Sequence, residues 1–180
     1  MTANYEITTA RAGDYGELSR LINSAYRGET ALAGWTTEAE YIEGQRIDPE
    51  MLTSELAQEG HTMLCLRERA DKPIVGCVLL RSFEDVAGPG MYLGMLTVQP
   101  KMQDAGLGRM LMNESEKFAR KAGAKRMNLR VIHFRESLIE WYERQGYKRT
   151  GDTSPFPYGN EREGLPLRDD LFFVIFEKPL

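Results

Sequence analysis

Apolar residues recur along this chain in two rhythms, a period near two and a period near 3.6, and their order outlines the fold. Tyr5 to Thr9 alternates as a short first strand, and after Gly13-Asp14 the positions Leu18, Leu21, Ile22 and Ala25 share one helix face. From Tyr26 to Asp48 the periodicity is lost. Gly28, Gly34 and Gly44 surround Trp35 there, Thr36 or Thr37 is placed to cap a short helix, and Pro49 opens a second helix running to Gln58. HTMLCLRER and KPIVGCVLLRSF are rich in strand formers and are separated by Ala70 and Asp71, which predicts an antiparallel hairpin. If its turn is centred on Asp71, Cys65 and Cys77 face each other.

Beyond a Gly88-Pro89-Gly90 break, MYLGMLTV reads as another strand, and PKMQDAGLGR is a glycine-bearing loop. A helix follows with Leu107, Met110, Leu111, Phe118 and Ala122 on its apolar positions and Gly123 as its stop. MNLRVI reads as a buried strand, Glu136 to Gln145 as an amphipathic helix closed by Gly146, and DLFFVIFEK as an apolar final strand. Thr150 to Arg168, with Pro155, Phe156, Pro157 and Tyr158, reads as a Pro/Gly-rich loop. The order β-α-α-β-β-β-α-β-α-β defines an α/β domain with a mixed sheet, and residues 1–180 contain no repeat or linker to divide it.

Composition agrees: 180 residues that are 42% hydrophobic suffice for a continuous core. A net charge of -4 argues against a dedicated nucleic-acid binder and leans slightly toward cationic partners. The charge is unevenly placed. Arg109 to Arg149 holds eleven basic and five acidic residues, net +6, against net -10 for the remainder, so an anionic ligand suits the second half. The longest apolar stretch, IVGCVLL, is too short to span a bilayer, and MTANYEITTARAGD has no apolar run flanked by basic residues. A cytoplasmic protein without a membrane partner is expected. The two cysteines lack metal-site spacing and are expected to stay reduced, and His61 and His133 lack companions, so no metal is expected.

The junction MLTVQPKMQDAGLGRMLMNESEKFA carries the strongest chemical signal. A strand ends, glycines relieve the backbone, and a helix begins whose first amides have no intrahelical partners and whose dipole favours an anion. Gly106 and Gly108 have no side chain to hold a phosphate away, Gln103 is placed to reach one, and Arg109 adds positive charge. The GK[ST] ending of a triphosphate loop and the G-x-G-x-x-G of a dinucleotide site are both missing.

This loop, Gln103-Asp104-Ala105-Gly106-Leu107-Gly108, resembles the Q/R-x-x-G-x-G/A acyl-CoA loop of the GNAT superfamily of N-acetyltransferases. EITTARAGDYGELSRLINSAY resembles that family's first strand and helix, MYLGMLTVQP its fourth strand, and LIEWYERQGYKRTG its closing helix and following strand. The resemblance implies a single domain built on a mixed central sheet, splayed between the fourth and fifth strands and flanked by helices. It implies acetyl-CoA in the opening as co-substrate, with Leu96, Thr97 and Val98 meeting the pantetheine and the amides from Gln103 to Arg109 holding the pyrophosphate. It implies that Tyr142 lies beside the CoA sulfur, where a phenol of pKa near 10 suits protonation of a departing thiolate. Leu138 and Tyr142 also share a helix face, which a core aromatic would explain equally.

Three positions depart from the family pattern. Arg135 stands where asparagine often bonds the pantetheine, so that contact is lost or becomes an ionic one to a CoA phosphate. Asp104 stands where glycine is common, and its carboxylate must point away from the pyrophosphate. Gly94 replaces the fourth-strand glutamate that serves many relatives as general base. Deprotonating an alkylammonium at pH 7 costs about 4.6 kcal/mol unaided, so Glu29, Glu38 and Glu84 become candidates, Glu29 first because its loop is expected to overhang the cleft.

Acceptor recognition is expected from Tyr26, Arg27, Trp35 and Arg46 in the early irregular segment and Phe156 and Tyr158 in the late one. Arg27 or Arg46 would favour an amine that also carries a carboxylate. The expected activity is acetyl transfer to a primary amine of a small molecule by direct attack. The alternatives are transfer to a protein amine, a non-catalytic CoA-binding or sensing module, and a nucleotide-binding regulator. A homodimer through the final strand is compatible with the sequence.

Overall fold

A computed structural model describes residues 5–180. Its main sheet has seven strands: β1 (Glu6–Thr9), β3 (His61–Arg67), β4 (Ile74–Asp85), β5 (Gly88–Val98), β6 (Arg126–Ile132), β7 (Lys148–Pro155) and β9 (Phe172–Pro179). In space they run β1-β3-β4-β5-β6-β9-β7, and a two-residue ladder pairs β2 (Ile42–Glu43) with β8 (Leu165–Pro166). Five α-helices accompany them among the described residues: α1 (Tyr15–Tyr26), α2 (Gly28–Ala31), α3 (Pro49–Leu56), α4 (Leu107–Lys121) and α5 (Glu136–Arg144).

Both faces of the central strands are covered, which is why they read as apolar runs instead of clean alternations. Met63, Cys65, Cys77 and Leu79 pack with Leu18, Leu21, Ile22 and Ala25 of α1 on one face. Their neighbours Leu64, Leu66, Val78 and Leu80 pack with Leu107, Leu111, Met112 and Ala119 of α4 on the other. Cys65 pairs with Cys77 across the β3-β4 ladder, as a turn centred on Asp71 requires, and both thiols are free.

Two features of β5 make the site. Its parallel pairing to β6 is confined to Gly90, Met91 and Tyr92, opposite Arg126, Met127 and Asn128, and from Leu93 onward the two strands part. This is the splay expected between the fourth and fifth strands of the sheet. On its other side β5 carries a bulge, since Cys77 pairs with Thr97 while Leu79 pairs with Gly94. The extra residue is taken up where Met95 adopts a left-handed φ of 46°.

Several expectations are corrected. The hairpin turn is Val86-Ala87, closed by Asp85 Oδ1 accepting from the Ala87 amide at 2.8 Å, so Gly88-Pro89-Gly90 lies inside β5. Thr36 and Thr37 cap no helix; the short helix is α2, upstream of them. Part of the late loop is strand β7, whose KRTGDTSP sequence carries no apolar signal because this edge strand is almost wholly exposed. The final strand β9 is paired on both sides, to β6 and β7, and offers no edge for a homodimer.

Candidate active site

Between the diverging strands lie two cavities that share Tyr26, Leu96, Arg135, Leu138 and Tyr142. The outer one, of about 500 Å³, runs from the Gln103–Arg109 loop to α5 and is also lined by Trp35, Thr36, Val98, Trp141 and Arg144. The inner one, of about 80 Å³, is bounded by Arg27, Glu38, Arg46, Arg130 and Phe156.

The outer cavity is built to meet an anion. Whereas Asp48 caps α3 by accepting from the Met51 amide at 2.7 Å, α4 has no side-chain cap. Gly106 holds the preceding position at φ 78°, and the first bond into the helix is made by the Met110 amide to the Gly106 carbonyl at 3.1 Å. The amides of Leu107, Gly108 and Arg109 therefore face the cleft uncapped, and no atom lies within 4 Å of where a Gly106 side chain would begin. Arg109 and Arg144 add charge to the same walls.

The open edge of β5 supplies the second set of groups. In an extended strand one residue's N–H and C=O point to the same side. The Leu96 carbonyl accepts from the Tyr26 hydroxyl at 2.6 Å and the Val98 carbonyl from Gln103 Nε2 at 3.1 Å, so both residues turn their backbone toward the cleft. Burial pushes the Tyr26 phenol up to about 12, keeping it a neutral donor to the bulged strand.

Tyr142 is 6% exposed, and its ring meets the edges of Trp141 and Tyr147. Burial raises its phenol well above 10, with Tyr26 adding to the rise and Arg135 opposing it. Among the described residues its hydroxyl has no hydrogen-bond partner. It is therefore protonated at neutral pH and placed where the two cavities meet.

Glu38 organises the inner wall. It accepts from Arg27 at 2.5 Å and from Arg135 at 2.9 Å, and Arg135 also donates to the Thr36 carbonyl. Burial alone would raise its carboxyl, but Arg135, Arg46 and Arg27 together hold it below the usual carboxylate range.

The remaining sequence expectations distribute unevenly. Thr97 and Leu107 side chains are core residues, which leaves only their backbone for a ligand. Asp104 lines the outer cavity at φ 72°, explaining why glycine suits that position. Ala105 is exposed beside it. The Gln103 side chain does not project toward a phosphate; it accepts from the Trp35 amide at 2.9 Å and donates to Thr36 Oγ1 at 2.9 Å, tying the early loop to the α4 loop. Tyr26, Arg27, Arg46 and Phe156 line the inner cavity, but Trp35 lines the outer one. Tyr158 lines neither, its hydroxyl accepting from the Leu171 amide at 2.8 Å. Glu29 and Glu84 are exposed and line neither cavity. Sequence reasoning missed Trp141 and Arg130; a lone exposed arginine inside the buried strand RMNLRVI was the available signal.

The sequence pattern of the acetyltransferase (GNAT) family matches residues 18–147, and the chain belongs to that family. It is an N-acetyltransferase whose co-substrate is acetyl-CoA. No curated protein matches the sequence. Among solved structures the fold is similar to the ribosomal-protein-S18-alanine N-acetyltransferase of Escherichia coli, with TM-score 0.68, 16% identity, and 97% of this chain and 93% of that one covered. A putative acetyltransferase of Salmonella typhimurium, solved with its cofactor acetyl-CoA, gives TM-score 0.68 at 19% identity over 98% of this chain and 94% of that one. The ribosomal-protein-alanine N-acetyltransferase of Brucella melitensis gives TM-score 0.68 at 21% identity over 97% and 99%.

Proposed function

We propose that this enzyme acetylates a primary amine of a small molecule by direct attack, with acetyl-CoA in the outer cavity and the amine in the inner one. The observation that carries the reading is the meeting of both cavities at Tyr142, beside the bulged end of β5. Acetyl-CoA, when bound, supplies a thioester carbon at which a C–N bond forms as the C–S bond breaks. The uncapped amides of α4, with Arg109 and Arg144, bind its phosphates, and the Leu96 and Val98 backbones align the pantetheine. A Leu96 N–H facing the cleft polarises the carbonyl. Tyr142 Oη holds the proton that the departing sulfur takes, and solvent restores it.

Among the described residues, no carboxylate lining the inner cavity is free to serve as base. Glu38 is clamped by two guanidiniums and its depressed pKa makes it a weak proton acceptor. We therefore assign proton removal to water and give Glu29 no part at the reacting atoms. The cationic wall assists, because neighbouring positive charge lowers the pKa of an incoming ammonium. The small inner volume, walled by Ile42 and Gly164 near the β2-β8 ladder, supports a small molecule over a polypeptide. Cys65 and Cys77, opposed and unbridged, support a reducing, cytoplasmic setting.

Thermal unfolding with acetyl-CoA, with ATP and with neither, followed by CoA-release assays on small amines and on a peptide with a free N-terminal alanine, tests this reading. Acetyl-CoA at about 100 times its Kd adds roughly 2.7 kcal/mol, a rise of about 5–10 °C. Turnover of small amines in preference to the peptide is expected; preference for the peptide would reassign the acceptor class.

A further inference from the structure

Among the described residues, the lining of the acceptor side of the cleft holds more basic than acidic side chains. Four arginines, Arg27, Arg46, Arg130 and Arg135, line the inner cavity, with Glu38 as the acidic residue among its described lining. A third cavity of about 340 Å³ opens beside it and shares Arg46, Tyr92, Gly94, Met95 and Arg130. Arg81 and Arg162 line its outer part, with Glu55 as the acidic residue among its described lining.

Glu38, Glu55, Asp48 and Glu50, described carboxylates near these walls, are each engaged. Glu38 is held by Arg27 and Arg135. Glu55 receives two bonds from Arg81, at 2.6 and 2.8 Å, and lies 2.7 Å from His61. Arg162 bridges to Asp48 at 3.1 Å and to Glu50 at 3.2 Å. Arg46 and Arg130 are the guanidiniums common to both cavities. Arg130 forms no ion pair with any described residue and rests its carbon centre 4.4 Å from the Phe173 ring centroid. Stacking on an aromatic face steadies a guanidinium while leaving its in-plane donors for a planar, two-oxygen acceptor. Arg46 in turn lies over Tyr26 at 5.8 Å.

We propose, building on the function above, that the acceptor amine also bears a carboxylate, seated by Arg130 at the seam of the two cavities, which Arg46 also lines. Its amine then points through the inner cavity toward Tyr142. Gly94 contributes by absence: it lines both cavities, and an anionic side chain there would compete for the same guanidiniums. The substrate class is thus an amino acid or an analogue of one, and a polyamine is disfavoured by like charge.

The test compares α-amino acids with their carboxamides and with 1,4-diaminobutane, on the unaltered enzyme and on Arg130→Met and Arg130→Lys. CoA release is followed for each, and binding of the same compounds to the CoA-saturated protein is measured by calorimetry. Carboxylates are expected to exceed their carboxamides by about tenfold or more in kcat/KM. Arg130→Met should raise KM for the carboxylates about tenfold, a larger change than it makes in their kcat or in either constant for the carboxamides, and Arg130→Lys should recover part of the KM loss. Equal use of carboxamides or the diamine, or a KM indifferent to Arg130, would overturn the carboxylate seat while leaving the acetyltransfer reading intact. If no amine is acetylated although acetyl-CoA binds, the small-molecule reading fails. Arg130-dependent carboxylate binding would then still sustain the seat, and its absence would overturn it as well.

Discussion

Asp104 shows how one residue records a compromise. It occupies left-handed backbone at φ 72°, where aspartate is tolerated and glycine is unstrained, and it lines the cavity whose other groups attract anions. Asp104→Gly is expected to lower the acetyl-CoA Kd several-fold at low ionic strength, less at high, with unfolding unchanged within about 1 kcal/mol. Calorimetry at two salt concentrations checks it. Gly94 is constrained differently. A Cβ there would stand 2.8 Å from Cε1 of Tyr92, so Gly94→Glu should destabilise by about 1–3 kcal/mol in urea unfolding and should not restore a base. The glycine loop around Gly106 and Gly108 was legible in the sequence because spacing and chemistry coincide there, whereas Tyr142 was reached through the family resemblance, its helix-face spacing fitting a core aromatic equally. The Gln103 side chain was misread because its partners, Trp35 and Thr36, are remote in sequence.

At the scale of elements, the segment from Gly34 to Glu38 acts as a strap between the two sides of the site. Gln103 holds Trp35 and Thr36 on the α4 side, and Arg135 at the start of α5 holds Thr36 and Glu38 on the other. Glu38→Gln removes the buried carboxylate that Arg27 and Arg135 share and is expected to cost about 3–5 kcal/mol. The pH dependence follows from the depressed pKa of Glu38. Its stabilisation is complete above the unfolded value of about 4.3 and is lost as pH falls through the lower folded value. Acid unfolding of the unaltered enzyme should therefore gain a stability decline below about pH 4 that the Glu38→Gln variant lacks, as measured by circular dichroism across pH. Helices and central strands were legible because a buried face imposes a period. Edge strand β7 was marked only at its start, by the resemblance of YKRTG to a family strand, because Lys148 to Ser154 bury almost nothing, with a register shift between Arg149 and Thr153.

At the scale of the molecule, the basic stretch from Arg109 to Arg149 becomes chiefly α4 on one side of the opening and β6 and α5 on the other. Acetyl-CoA affinity should accordingly fall as salt rises from about 0.05 to 0.5 M, since the Debye length shortens to below the span of the site. The acidic overall balance suggested a cationic acceptor, but among the described lining residues arginines converge from the end of α1, the early loop, β6 and the start of α5. Such convergence is tertiary and leaves no mark in a linear count. What spacing did preserve was the sequence of strand, glycine loop and helix that places an uncapped helix start beside an unpaired strand edge. The central claim is that Tyr142 protonates the sulfur where the two cavities meet, and Tyr142→Phe tests it most directly when CoA-release kinetics and acetyl-CoA affinity are measured on the same preparation. The account predicts an acetyl-CoA Kd within about threefold of the unaltered enzyme and a kcat lower by about 10²–10⁴-fold. An unchanged kcat, or a loss confined to acetyl-CoA affinity, would contradict it.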